Sequence, residues 1–278
     1  MNPEEVLQRI EEVDIQGATA VAREGIRLLE QLEEEGREEE VEEYRQKLRE
    51  ARPTEPLLFN ALELSREKSY REVLEHIESS QEEIGERGAE IVQEGDVIYT
   101  HCHSSTVTAV LREASGEKEF EARVTETRPL YQGRETAEEL AEAGIPTELY
   151  VDSAGRKALE EADRMFIGAD ALLRSGGAVN KIGSGLFAEI AEEKGVPVTV
   201  FADSWKLDTG GRFEEGENIE QRPPEEVWSD APERVQVENP AFETVEPELV
   251  YRIVSELGIH RPNGFMGAVR ERYPEVIE

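Results

Sequence analysis

The sequence predicts an α/β protein: an N-terminal helical domain followed by a Rossmann-like domain, a parallel sheet with helices on both faces. Over residues 1–93, apolar side chains recur at helical spacing among dense Glu and Arg, a pattern typical of amphipathic helices. Over residues 94–278, short apolar runs alternate with amphipathic stretches, which is typical of strand–helix units in a parallel sheet. We therefore place a domain boundary between residues 93 and 94.

The first domain is expected to contain only helices. Val6, Ile10 and Val13 share one helical face. Pro53 interrupts the helices, because proline lacks a backbone N–H and restricts the residue before it. A last helix is predicted over about 70–93.

In the second domain each short apolar run is a candidate strand, because a continuous run such as VPVTVFA suits a strand buried on both faces. The predicted strands are 96–101, 121–126, 147–151, 164–168 and 197–202. The predicted helices are about 105–114, 134–143, 153–162 and 184–194. A loop is predicted over residues 209–238. A final helix is predicted over about 247–257, followed by a short tail.

The charge of the chain disfavours direct binding of nucleic acid. It has 64 acidic and 31 basic residues, a net charge of −33, which repels nucleic acid phosphates. Seven of the basic residues are lysines and 24 are arginines. We expect such an acidic, lysine-poor surface in a halophilic protein, where salt screens the self-repulsion; an ordinary acidic protein is the alternative.

Location is inferred from what the sequence lacks. No stretch has the roughly 20 apolar residues of a membrane span, and the N-terminus lacks the apolar core of a signal peptide. A single cysteine allows no internal disulfide, which fits a reducing compartment. We expect a cytoplasmic protein.

That cysteine, Cys102, follows the first predicted strand. Ligands of doubly wound folds bind at the carboxyl ends of strands, so a thiol there is a candidate for chemistry. An inert buried thiol is the alternative. His101 and His103 alternate around Cys102 and are expected to point away from it, which disfavours a Cys–His hydrolase.

Two other strand ends carry ionisable residues. Arg128 suits bidentate binding of phosphate or carboxylate, with a structural ion pair as the alternative. Asp170 follows another apolar strand, where a raised pKa would suit a general acid or base. The alternative is a helix N-cap.

A glycine-rich segment, 176–185, contains Asn180 and Lys181 and precedes a helix. Free N–H groups at a helix start form an anion site, and Lys206 follows the next strand. Half of a dinucleotide fingerprint occurs here too; we discount it because no predicted strand runs into it and no acid follows at the expected place. These residues suit proton transfer on a small phosphorylated substrate, and no spacing typical of zinc ligands occurs.

The segments GDVIYTHCHSS, VTETRPLYQGRETAEELAEAGIP, YVDSAGR, FIGADALL and GGAVNKIGS occur in that order. As an ordered set they resemble one family, which joins archaeal ribose-1,5-bisphosphate isomerases, methylthioribose-1-phosphate isomerases and the regulatory subunits of translation initiation factor 2B. The resemblance spans residues 5 to about 260.

The resemblance implies a phosphopentose isomerase, with ribose-1,5-bisphosphate converted to ribulose-1,5-bisphosphate in nucleotide salvage. Cys102 and Asp170 would transfer protons, without cofactor or metal. A homodimer or a homohexamer is implied. The substrate-binding residues implied are Gln16, Gly17, Ala18, Arg52, Ser104, Arg128, Asn180, Lys181 and Lys206.

One position departs from the family. The isomerases carry an arginine that contacts phosphate where this chain has Gln16. Loss of a charge-assisted contact costs on the order of 2 kcal/mol, about thirtyfold in affinity. The departure keeps a second hypothesis open, a non-catalytic initiation factor 2B-like subunit or a module that binds sugar phosphates or nucleotides.

Overall fold

The computed structural model describes residues 2–12, 14–15, 17–213 and 220–274. The N-terminal part of this chain is helical, as predicted. Its helices are α1 Pro3–Glu11, α2 Ala18–Glu34, α3 Glu38–Ala51, α4 Pro56–Leu64 and α5 Tyr70–Ala89. Ser69 and Glu72 form a capping box that fixes the start of α5.

The second part is built on a seven-stranded sheet within the described residues. Its strands are β1 Val97–His101, β2 Glu121–Thr125, β3 Thr147–Tyr150, β4 Arg164–Ile167, β7 Val198–Phe201, β9 Val250–Ser255 and β10 Gly258–His260. They lie in the order β10-β9-β7-β4-β1-β2-β3, all parallel except β10 against β9. The helices are α6 Ser105–Ser115, α7 Gln132–Glu142, α8 Gly155–Ala158, α9 Ser184–Lys194 and α10 Pro262–Arg272. The predicted fold class is confirmed.

A small antiparallel sheet, which we did not predict, lies beside the large one. Its strands are β5 Ala171–Leu172, β6 Ala178–Lys181 and β8 Phe242–Val245, in the order β5-β6-β8. β6 lies inside the glycine-rich segment, where we predicted no strand. Short strands give little periodicity, so only their pairing defines them.

The predicted final helix, 247–257, is wrong: β9 occupies most of it and pairs in parallel with β7. Its Val250, Ile253 and Val254 are buried against the sheet, and β-branched side chains favour strands. The expected tail forms α10 instead. The predicted helix 153–162 shortens to a 3-10 turn and the single turn of α8.

Separate apolar cores lie among the N-terminal helices and on the two faces of the sheet. Helix α5 contributes to two of them, because Val73 and Ile77 pack in the helical core and Ile84 packs against the sheet. The boundary at residues 93 and 94 stays a prediction. None of the described helices is long and apolar enough to cross a membrane.

A buried polar cluster joins α5 to the sheet. The His76 ring stacks on Trp205 with centroids 3.6 Å apart, and its Nε2 lies 3.1 Å from Asp203 Oδ1. Burial opposes ionisation of both, yet their attraction raises the pKa of His76 and lowers that of Asp203. Burial and the neighbouring Asp203 charge raise the pKa of Glu256 to about 7. Glu256 therefore changes charge near neutral pH.

We expect stability to fall as pH rises through this range. The folded state binds the Glu256 proton more tightly than the unfolded chain, so stability is lost between about pH 4.5 and 7. The raised pKa of His76 acts in the same direction. Glu256→Gln should match the wild type near pH 5 and exceed its free energy of unfolding at pH 8 by on the order of 2 kcal/mol.

Denaturant unfolding at constant high ionic strength measures this difference. Glu248→Gln is the matched control, because it removes the same charge from an exposed position. Parallel pH profiles for wild type and Glu256→Gln would contradict the prediction.

Candidate active site

The site lies where the strand order of the large sheet reverses. From β1 the chain proceeds outward to β2 and β3, then returns to β4 on the other side of β1. The loops after β1 and β4 therefore part and leave a crevice at the switch point. Thr100 of β1 pairs with Phe166 of β4, so Cys102 and Gly168 lie level just beyond the sheet. Asp170 follows two residues later.

Cys102 is held by its backbone. Its φ is +70°, a left-handed conformation that is uncommon for a residue with a Cβ. Its N–H donates to Thr127 Oγ1 at 3.0 Å, and its carbonyl accepts from Thr136 Oγ1 at 3.0 Å. A backbone held this way at a crevice is typical of functional positions.

The Cys102 thiol is in its neutral form. It is 6% exposed, and its Sγ donates to Gln132 Oε1 at 3.7 Å. Burial raises the pKa of the thiol to about 12, although the Lys181 charge lowers it. The nearby start of α6 does not produce a thiolate.

The neighbouring histidines have other partners, as expected from their alternation. The His101 ring nitrogens contact Thr125 Oγ1 at 2.6 Å and the Ile182 carbonyl at 2.9 Å. His103 Nδ1 contacts Thr136 Oγ1 at 3.2 Å. These contacts do not form a Cys–His pair.

Asp170 lies at the wall of the same cavity. Its N–H donates to the Val179 carbonyl at 2.8 Å, which joins it to β6 rather than to a helix start. Burial raises the pKa of its carboxyl, and the charges of Lys206, Lys181 and Arg52 oppose that rise. A carboxyl whose pKa is raised by burial and restrained by neighbouring cations is suited to exchange a proton with a substrate.

The cavity between the helices and the sheet has a volume of about 510 Å³, within the range of small-ligand sites. Lys206 is 9% exposed and donates to the Ala169 carbonyl at 2.7 Å. Lys181 Nζ lies 4.8 Å from the centre of the Phe242 ring. The predicted residues that line the cavity are Gly17, Ala18, Arg52, Cys102, Ser104, Asp170, Asn180, Lys181 and Lys206.

Two predicted residues are not placed there. Gln16 lies outside the described residues. Arg128 is not part of the described lining: its guanidinium donates to the Tyr131 hydroxyl and, at 3.5 Å, to the Val227 carbonyl. The Arg128 N–H donates to Asp152 Oδ2 at 2.7 Å.

The glycine-rich segment is not the empty anion cradle we expected. Glu243 Oε1 accepts from the N–H groups of Gly183 and Gly185, each at 2.7 Å. Gly183 has a φ of +103°, and a Cβ there would lie 2.8 Å from His101 Nε2, so only glycine fits. Strand β6 does run toward this turn, so one ground for discounting the dinucleotide fingerprint was wrong. Its amide groups are nevertheless taken by the chain's own carboxylate.

Several lining residues escaped the sequence analysis. They are Arg23, Glu55, Gln132 and Arg222, among others. Gln132 stands next to Tyr131 in a segment that we noted for Arg128 alone. Glu55 is 5% exposed although it precedes a proline in a charged stretch. No local pattern signals that these side chains turn inward.

Two groups of histidine and carboxylate side chains come close enough to hold an ion, within the described residues. They are His76, Asp203 and Glu256, and His103, Glu135 and Glu139. In each set the histidine is more than thirty positions from the carboxylates, so spacing could not reveal either set. We assign no metal: the ring nitrogens of His76 already contact Asp203 and Tyr273, and exposed acids are common on this surface.

Comparisons with known proteins agree with the resemblance. The Initiation factor 2 subunit family matches residues 14–262. A ribose 1,5-bisphosphate isomerase from Thermococcus kodakarensis is 33% identical over 97% of this chain and 94% of its own length. These matches cover both the helical part and the sheet.

Solved structures lead to the same family. The translation initiation factor eIF-2B from Pyrococcus horikoshii OT3 superposes with a TM-score of 0.82 at 28% identity, over 94% of this chain and 97% of its own. The 5-methylthioribose 1-phosphate isomerase of the same organism gives a TM-score of 0.77 at 25% identity, over 98% and 88%. The chain therefore belongs to the Initiation factor 2 subunit family.

Proposed function

We propose that this chain is an aldose–ketose isomerase acting on a phosphorylated pentose. The observation that carries the proposal is the meeting of Cys102 and Asp170 in one cavity, beyond two adjacent parallel strands. Ribose 1,5-bisphosphate is the first candidate substrate, because a relative covering nearly the whole chain bears that name. Its product would be ribulose 1,5-bisphosphate.

Such an isomerisation only moves protons within one substrate. A proton leaves C2, the ring oxygen takes a proton as its bond to C1 breaks, and a proton returns to C1 as the C2 hydroxyl loses its own. No atom is gained or lost, and no redox cofactor is needed. The chemistry requires one group that accepts a proton and one that donates a proton. Cys102 and Asp170 supply both functions when one of the two is protonated and the other is not.

The rest of the cavity suits a phosphate ester. Lys181, Lys206 and Arg52 supply positive charge. Helix α2 begins at the cavity without a side-chain cap on Gly17, and Ala18 lines the wall. Uncapped N–H groups and the helix dipole favour an anion there. In this proposal Asn180 and Ser104 bind sugar hydroxyls.

A non-catalytic, initiation factor-like subunit is the second candidate. The high TM-score to the structure named eIF-2B favours it, since the fold alone serves both kinds of protein. The two candidates differ in turnover. Conversion of ribose 1,5-bisphosphate in molar KCl, or of another pentose phosphate, would decide for the isomerase; absence of turnover by folded protein would favour the subunit.

Cys102→Ser should lower kcat by about 10²–10⁴-fold, because it removes one of two proton-transferring groups while keeping a similar volume. Asp170→Asn should have a comparable effect. Product formation from ribose 1,5-bisphosphate measures both, and thermal unfolding verifies the fold. Asp163→Asn controls for loss of a charge, because the Asp163 carboxyl accepts from the Val97 N–H at the amino end of β1, away from the cavity. Full activity of Cys102→Ser would refute the assigned role.

The pH profile tests the protonation state of the pair. Because the pKa of Cys102 is about 12, kcat/KM should not fall between about pH 7 and pH 10. On the acid side it should decline at a pH above the ordinary aspartate pKa, since that of Asp170 is raised. A decline centred near pH 8.5, the pKa of a free thiol, would contradict the neutral, buried thiol.

Substitution of two cations compares a residue of the cavity lining with a residue outside it. Lys181→Met should raise KM by about 10–100-fold, since a hydrogen bond to a charged group contributes about 1.5–3 kcal/mol. Arg128→Met should change KM less than about threefold, because its guanidinium lies outside the described lining. Steady-state kinetics of both variants measure the contrast, and equal effects would show that Arg128 reaches the substrate.

A further inference from the structure

Glu55 is a buried carboxylate that the proposed proton transfer does not use. Its side chain is 6% exposed and lines the cavity. Although it precedes α4, it makes no side-chain cap on that helix. Oε1 accepts from Arg52 Nη2 at 2.6 Å, whereas Oε2 is buried without a hydrogen-bond partner among the described residues.

An unpartnered buried oxygen indicates a missing donor. A carboxylate oxygen only accepts hydrogen bonds unless it is protonated. A sugar hydroxyl can donate to it. A phosphate dianion brings only acceptors and a like charge, so it is the worst neighbour for this group.

The charge of the cavity supports the same conclusion. Five cationic and five acidic residues line its described part: Arg23, Arg52, Lys181, Lys206 and Arg222, and Asp14, Glu55, Glu135, Asp170 and Glu220. Arg52 is paired with Glu55, and Arg222 with Glu220 and Glu226. A phosphate ester carries close to two negative charges, so two such groups greatly exceed the unpaired positive charge.

Burial also raises the pKa of Glu55, with the Asp170 charge adding to the rise and Arg52 opposing it. The Arg52 contact favours the ionised form of Glu55, in which the carboxylate only accepts hydrogen bonds and repels a phosphate.

We propose that Glu55 is a specificity-determining residue that accepts a hydrogen bond from a sugar hydroxyl and disfavours a second phosphate, so that the preferred substrate is a pentose monophosphate. The proposal rests on the proposed sugar phosphate site. The two isomerase names among the relatives share a ribose 1-phosphate and differ at C5. We assign the C5 hydroxyl of the sugar, which is uncharged, as the donor to Glu55 Oε2.

Binding tests this without turnover. Calorimetric titration of the Cys102→Ser protein with ribose 1-phosphate and with ribose 1,5-bisphosphate gives a ratio of affinities. We expect the monophosphate to bind at least as tightly as the bisphosphate. Adding Glu55→Gln should tighten bisphosphate binding by tenfold or more and leave the monophosphate unchanged or weaker, because an amide is uncharged and can donate to a phosphate oxygen.

Glu135→Gln, in the same background, is the matched control. It removes the same charge from a lining residue that is 60% exposed, where solvent screens it, so its effect on the ratio should stay under about threefold. Glu55→Ala guards against a peculiarity of the amide, and thermal unfolding checks each variant. An unchanged affinity ratio in both folded Glu55 variants would overturn the proposal. So would a Cys102→Ser protein, with Glu55 intact, that binds the bisphosphate more than tenfold tighter than the monophosphate.

The experiments distinguish an incorrect role for Glu55 from an absence of isomerase activity. The affinity ratio is measured in a protein that need not turn over, whereas the isomerase hypothesis depends on product formation. Turnover of the bisphosphate with an unchanged ratio would remove only the role of Glu55. A shifted ratio without turnover would retain Glu55 as a selector in a binding module. If neither sugar phosphate binds Cys102→Ser at millimolar concentration, the role of Glu55 is overturned as well.

Discussion

The parallel pairing of β1 with β4 is the constraint on which the site depends. These strands are neighbours although β2 and β3 lie between them in sequence, so the chain turns away after β1 and returns on the other side. Both strands are buried and end at the same edge. Cys102 and Asp170 are separated by more than sixty positions, yet they reach one crevice because this pairing places their loops on its two sides.

The loop after β2 then fixes the conformation of Cys102. Thr127 accepts from its N–H, and Thr136 of α7 donates to its carbonyl. Helix α7 can approach that closely because Gly133 packs against the Thr125 carbonyl, where a Cβ would overlap. The left-handed residue at Cys102 is thus held by contacts from a neighbouring strand–helix unit, and its energetic cost is offset by tertiary packing.

The sequence predicted five strands of the large sheet, β1, β2, β3, β4 and β7, to within one residue at each end. In β4 and β7 the signal is a nearly continuous apolar run, because these strands are buried on both faces. The prediction failed at β9, where a run of Val, Tyr, Ile and Val next to acidic residues resembled a helix until its pairing with β7 was known. Cys102, Asp170 and Lys206 line one cavity, as expected from the convergence of strand ends. Arg128 has the same kind of position, but its guanidinium stacks near Tyr131. Glu55 and Glu243 could not be identified, because their inward placement depends on contacts distant in sequence.

The N-terminal helices contribute to the candidate site through Lys206. The 3-10 turn Ser204–Lys206 follows β7 and is held from the helical side. Asn60 of α4 donates to the carbonyls of Trp205 and Leu207, at 2.6 and 2.9 Å, and His76 of α5 stacks on the Trp205 ring. Lys206 Nζ in turn donates to the carbonyl of Ala169, next to Asp170. Helices α4 and α5 therefore anchor Lys206, whose positive charge lowers the pKa of Asp170 against the effect of burial. They set the electrostatic balance of the carboxyl on which the proposed proton transfer depends.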